Sequence, residues 1–162
     1  MKPIMLATDG SPSAEAATRE AIDLSNQLGV PLLAVSVEHQ PVPAYGYYGY
    51  AEVVTELQKA EHERVEKLLD DVQERAAAAG VDCETLPLEG VPARSLCDVA
   101  SDRAVRLIVI GAHGWNRIGR LIHGSVSTYV LHHAPTPVLV VHGDDDFVVE
   151  KRPFEVTTAA QS

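Results

Sequence analysis

The sequence predicts an α/β fold in which a parallel sheet is covered by helices on both faces. Three observations lead there. Five short apolar runs alternate with four stretches of helical periodicity. The first two apolar runs are joined by a helix bounded by turn residues, a βαβ unit that calls for a parallel pair. The run Leu107-Ile108-Val109-Ile110 is apolar without alternation, the pattern of a strand buried on both faces, and it is expected to be central. At 162 residues the chain suits one domain with a substantial core.

Residues 4–8 form the first strand, ending in the turn chemistry of Asp9-Gly10-Ser11-Pro12. Ala14, Ala17, Ala21, Leu24 and Leu28 then recur at helical spacing, and Gly29 stops the helix. Residues 32–37 are the second strand. From His39 to Tyr50 the prolines, glycines and four tyrosines read as a loop. A long helix is expected over residues 51–79, with Val65, Leu68, Leu69, Val72, Ala76 and Ala79 inward and Gly80 at its end. Its charged face, which includes Glu61, Arg64 and Glu66, reads as solvated surface. Residues 81–88 give a third strand, and Glu89-Gly90-Val91-Pro92 turns into a helix with Leu96, Val99 and Ala100 inward. After the fourth strand a glycine-containing loop leads to a helix over residues 125–133, which Ala134-Pro135-Thr136-Pro137 stops. Val138-Leu139-Val140-Val141 is the fifth strand. The expected domain is residues 1–143, with 144–162 as a flexible or partner-contacting tail.

Composition narrows the function. Cys83 and Cys97 have no metal-ligand spacing, and Cys97 falls among the apolar positions of a helix, as a buried reduced thiol would. That usage fits a reducing, cytoplasmic setting. No apolar run has membrane-spanning length, so no membrane insertion is expected. A formal net charge of −10 argues against a nucleic-acid partner and means that any anionic ligand must be held by a local device.

That device is sought beyond the carboxyl ends of the strands, where open α/β sheets bind ligands. The first strand ends in Ala7-Thr8-Asp9, the second in Val37-Glu38, and the fourth in Gly111-Ala112-His113-Gly114. The spacing Gly111-x2-Gly114-x9-Gly124-Ser125 leads from a strand into a helix. Gly111 and Gly114 permit positive φ and close backbone approach. The amides opening the following helix lack intrahelical partners and attract phosphate, and Ser125 and Ser127 add hydroxyls. A loop needing tight turns before a helix accounts for the same glycines equally well. Neither Gly-Lys-Ser/Thr nor Gly-x-Gly-x-x-Gly is present, so Walker A and dinucleotide fingerprints are excluded.

Several blocks agree in order and spacing with one family. Thr8-Asp9-Gly10-Ser11, Gly90-Val91-Pro92-Ala93, the segments at 108–114 and 124–127, and His133-Ala134-Pro135-Thr136-Pro137-Val138-Leu139-Val140-Val141 closely resemble the universal stress proteins. The resemblance covers about residues 3–142, and the complete glycine spacing marks the family's ATP-binding branch. It implies an open five-stranded parallel sheet in the order 3-2-1-4-5 sandwiched by four helices, a Rossmann-like nucleotide-binding fold of the α-hydrolase type.

By the same resemblance Gly111, Gly114, Gly124, Ser125 and Val126 would line the phosphates and ribose of ATP. Asp9 would sit near the ribose or a phosphate-bound metal, and Val37 would offer backbone groups to adenine. Ala7, Thr8, His113, Arg120 and Ser127 complete the candidate set. Mg or Mn would be held by the phosphates, with Asp9 the candidate protein contact. Asp9 has a plainer reading as a helix cap, and Val37 as sheet core. Trp115 stands where many relatives carry a basic residue. His113 and His123 lack zinc spacing.

Efficient phosphoryl transfer needs positioned cations and a nucleophile-orienting residue. No such set can be argued from the spacing, so ATP as a bound signal is preferred over a slow ATPase or phosphotransfer enzyme. A receiver-like domain would need an acid ending the third strand, where Leu86-Pro87-Leu88 stands. In the implied strand order, Val138, Leu139, Val140 and Val141 form an apolar sheet edge, and a homodimer joined through it is expected.

Overall fold

A computed structural model describes residues 1–38, 50–112 and 124–143. The centre of the sheet is β1 (Ile4–Ala7), every residue of which is buried. It pairs in parallel with β2 (Leu32–Glu38) on one side and β4 (Leu107–Gly111) on the other. β3 (Cys83–Glu89) lies outside β2 and β5 (Val138–Val141) outside β4, so the order is 3-2-1-4-5. The expectation that β4 is central is corrected: it is interior, one place from the edge. Strand order also excludes the receiver-like alternative, whose sheet runs 2-1-3-4-5. β3 does end in an acid, Glu89, but at the sheet edge.

Side chains of a strand alternate between faces, and two helices cover each. Ile4, Leu6, Leu32, Ala34 and Val109 meet Ala17, Ala21 and Ile22 of α1 (Pro12–Leu28) and Val65, Leu69, Val72 and Ala76 of α2 (Tyr50–Ala78). Met5, Leu33, Val35, Ile108 and Ile110 meet Leu96 and Ala100 of α3 (Pro92–Asp102) and Val130 of α4 (Ser125–His133). Cys83 is the buried thiol, at 8% exposure, while Cys97 packs against the core but is only half-buried, less than the sequence expectation.

Local signals explain the helix limits. Ser11 caps α1 by accepting from the Ala14 amide at 3.3 Å, and Pro12 opens the helix where no amide is needed. Gly29 ends it at φ 62°, a left-handed conformation that favours glycine. At 29 residues and about 1.5 Å per residue, α2 is far longer than the strands it covers. Its first turns leave Val53 and Leu57 about half exposed, at 51% and 52%.

Candidate functional site

The crossovers from β1 lead towards β2 and β3, whereas β4 and β5 lie on its other side. The switch point therefore falls between β1 and β4, whose C-terminal ends adjoin through the register pair Ala7 and Ile110. Two loops leave from there.

The loop after β1 is wired to itself. The Thr8 amide continues the sheet to the Val35 carbonyl at 3.0 Å. Oδ1 of Asp9 accepts from the Ser11 amide at 2.9 Å, and Oγ1 of Thr8 accepts from the Gly10 amide at 3.4 Å. Gly10 has φ 78°. Asp9 is thus not the helix cap of the plainer reading: it braces Ser11, which is the cap. Ala7 and Thr8 are buried at 5% and 6% exposure, so the loop meets solvent through Asp9 and Gly10.

Gly111 ends β4 against the first turn of α1. A Cβ there would lie 2.7 Å from the Ala14 amide nitrogen and 2.7 Å from the Ser13 carbonyl carbon, closer than real Cβ contacts allow. Its φ is not positive, so close approach alone requires glycine at this position. This packing seats the start of α1 directly on the end of β4.

α4 returns to the same point. The Gly124 amide donates to the Ala112 carbonyl at 2.8 Å, and the Ala112 amide donates to Val141 at 2.8 Å. Gly124 is the N-cap, in an extended conformation, and as a glycine it supplies no capping side chain. The first-turn amides at Ser125 and Val126, with the positive end of the helix dipole, form an anion-attracting surface. Ser125 is exposed and Val126 half-buried. Ser127 differs from expectation. It is 2% exposed, and its Oγ lies 3.0 Å from both the Ala112 and Gly124 carbonyls, so its hydroxyl is a latch on the loop ends and not an outward donor.

Val37 is 8% exposed with its side chain in the core, leaving its backbone at the end of β2. His113, Gly114 and Arg120 lie outside the described residues, as do Trp115 and His123. Among the described residues, no group of three or more His, Cys, Asp or Glu is placed to hold a metal, and no helix is long and apolar enough to cross a membrane.

Sequence reasoning missed a cation. Arg64, assigned to the solvated face of α2, points Nη1 at the Asp9 carbonyl, 3.3 Å away. Its Nε and Nη2 each meet a Glu61 oxygen at 2.8 Å, a fork that fixes the guanidinium. The Glu61 carboxylate, and more weakly Asp9, raise its pKa above the ordinary arginine value. The signal was available: subtracting four from the inward positions Val65 and Leu68 gives Glu61 and Arg64, both half-buried. His62, on the same turn, lies 2.6 Å from Glu38 at the end of β2.

A universal stress protein family model matches residues 1–142. A universal stress protein of Thermus aquaticus is 38% identical over 141 residues, covering 86% of this chain and 98% of the relative. The solved structure of UspA from Lactobacillus plantarum aligns with a TM-score of 0.77 at 30% identity, covering 86% of this chain and 97% of that one. A universal stress protein solved in complex with cAMP aligns with a TM-score of 0.62 at 26% identity, covering 88% and 97%. Strand order, helix placement and these matches agree: the chain belongs to the universal stress protein family.

Proposed function

We propose that the chain is a nucleotide-dependent stress-response or signalling regulator that binds an adenine nucleotide, ATP foremost, at the switch point between β1 and β4. The observation that carries this reading is the start of α4. Its N-cap is a glycine that supplies no capping side chain, and it is hydrogen-bonded back onto the end of β4, the strand paired with β1, so its first-turn amides open at the switch point. A relative with a cAMP complex supports the adenine class.

In this reading the phosphates meet the backbone at Gly124, Ser125 and Val126 and the Ser125 hydroxyl. Asp9 faces the ribose or a Mg or Mn ion carried by the phosphates, and the Val37 backbone faces adenine. His113, Gly114 and Arg120 complete the site from the intervening loop. Gly111 and Ser127 act on the frame, one by admitting α1 and the other by latching the loop. The arrangement presents backbone donors, which hold a polyanion on a chain of net charge −10.

Nucleotide occupancy serves as a signal read by a partner surface, in the cytoplasm, and the working unit is a homodimer. All four residues of β5 keep part of their surface accessible at the sheet edge, which suits edge-to-edge pairing of two copies. The identity of nucleotide released by acid from gently purified protein tests the ligand class. ATP or another adenine nucleotide near one per chain is expected; a guanine nucleotide or a dinucleotide in its place overturns the reading.

A further inference from the structure

His62 sits between two carboxylates. Its Nδ1 lies 2.6 Å from Oε1 of Glu38 and its Nε2 3.3 Å from Oε1 of Glu66. An ionised carboxylate only accepts hydrogen bonds, so a ring that serves both must carry a proton on each nitrogen. A neutral ring holds one carboxylate and turns a lone pair towards the other. Glu38 is the last residue of β2, next to Val37, and Glu66 lies one turn further along α2. The charged ring therefore fastens the end of β2 to α2.

We propose that His62, as its imidazolium, is a positioning residue for the nucleotide site, and that nucleotide affinity falls when His62 loses its proton. The proposal rests on the adenine-nucleotide reading above. Two effects act in the same direction. Release of the Glu38 side chain loosens the tie between α2 and the strand end whose Val37 backbone faces adenine in that reading. Loss of the positive charge also leaves Glu38 and Glu66 uncompensated on the side of the sheet where a polyanion binds.

The other charged groups at this corner are of different types. Lys59 and Glu63 on α2 pair at 3.9 Å, Glu61 holds Arg64, and Arg64 reaches the Asp9 carbonyl. From β3, Glu89 stands in register with Glu38. Histidine alone among these types ordinarily changes charge between about pH 5 and 8. The bond from Glu38, then the charge of Glu66, raise the His62 pKa above its ordinary 6.5. The clamp is thus complete below that ordinary value and is lost as pH climbs through the raised one.

Titrating Mg-ATP into the intact protein and into His62→Gln, at about pH 6 and about pH 8, tests this. Protonation of the nucleotide, and of His39, His113 and His123, is common to both proteins, so the difference between them is the readout. Wild type is expected to lose roughly two- to five-fold more affinity over the interval than the variant, the range for an exposed ion pair. Equal ratios in two folded, binding-competent proteins overturn the role of His62 and leave the nucleotide reading standing. Absence of ATP binding by wild type at both pH values overturns the reading itself, and the role of His62 with it.

Discussion

The amide of Gly124 donates to the carbonyl of Ala112 across 2.8 Å, so the loop between them begins and ends at one place. Closing a loop costs entropy, and here the closure is held by this bond and by Ser127, whose hydroxyl reaches the same carbonyl at 3.0 Å. The consequence is positional. The start of α4 is set beside the ends of β1 and β4 whatever occupies the loop.

Ser127→Ala removes that hydroxyl from a buried position. A stability loss of about 1 kcal/mol is expected, from one lost hydrogen bond at a site 2% exposed. Chemical denaturation measures it. Ser125→Ala, at an exposed position, is expected to leave stability unchanged and to weaken ATP binding; the opposite assignment of the two effects would reverse the roles given to these serines.

Gly111, like Ser127, acts on the frame of the site. Gly111→Ala places a Cβ 2.7 Å from α1 backbone atoms, which flexible side-chain motion cannot relieve. It is expected to cost about 1–3 kcal/mol through overpacking. A melting temperature equal to wild type would show that α1 shifts freely, and the close seat of α1 on β4 would lose its importance.

Burial pushes the Cys83 thiol up to about 11, and burial with the neighbouring Asp98 raises the half-buried Cys97 thiol as well. Because the thiolate is the reactive form, Cys97 is expected to alkylate before Cys83 at mildly alkaline pH. Mass spectrometry of partially labelled, folded protein checks the order. Equal rates would indicate that the sheet opens readily at β3.

The expected dimer is tested by light scattering, which should give twice the chain mass. Val140→Lys is expected to shift the mass towards one chain. Val140 also packs towards the α3–α4 face, so a melting curve must show that the variant is folded. A folded variant with unchanged dimer mass would move the interface away from β5.

Much of this architecture is legible in the sequence because its signals are local. The limits of α4 and β5 coincide with the expected residues 125–133 and 138–141, where proline and glycine punctuate sharp changes of pattern. β1, β2 and β4 differ from expectation by one residue at their ends, where hydrogen bonding rather than polarity decides. What was missed depends on tertiary contacts. Arg64 looked like surface because its neighbours are charged, yet α2 crosses the β1 loop at that turn. The sequence pattern gives Gly111 positive φ and close approach to a ligand, whereas its neighbour is the backbone of α1. The sequence pattern sets the Ser127 hydroxyl beside the phosphate-binding amides, and only the return of α4 to Ala112 turns it inward.

The most direct test of the central claim is calorimetric titration of Mg-ATP into wild type and Gly124→Val. Gly124 has extended backbone that valine also adopts, so the variant is expected to melt as wild type does. Its side chain would stand at the mouth of the α4 amides. Saturable binding by wild type, reduced at least about tenfold in a folded variant (about 1.4 kcal/mol), is the predicted result. Unchanged affinity in the variant would contradict the placement of the phosphates at the start of α4.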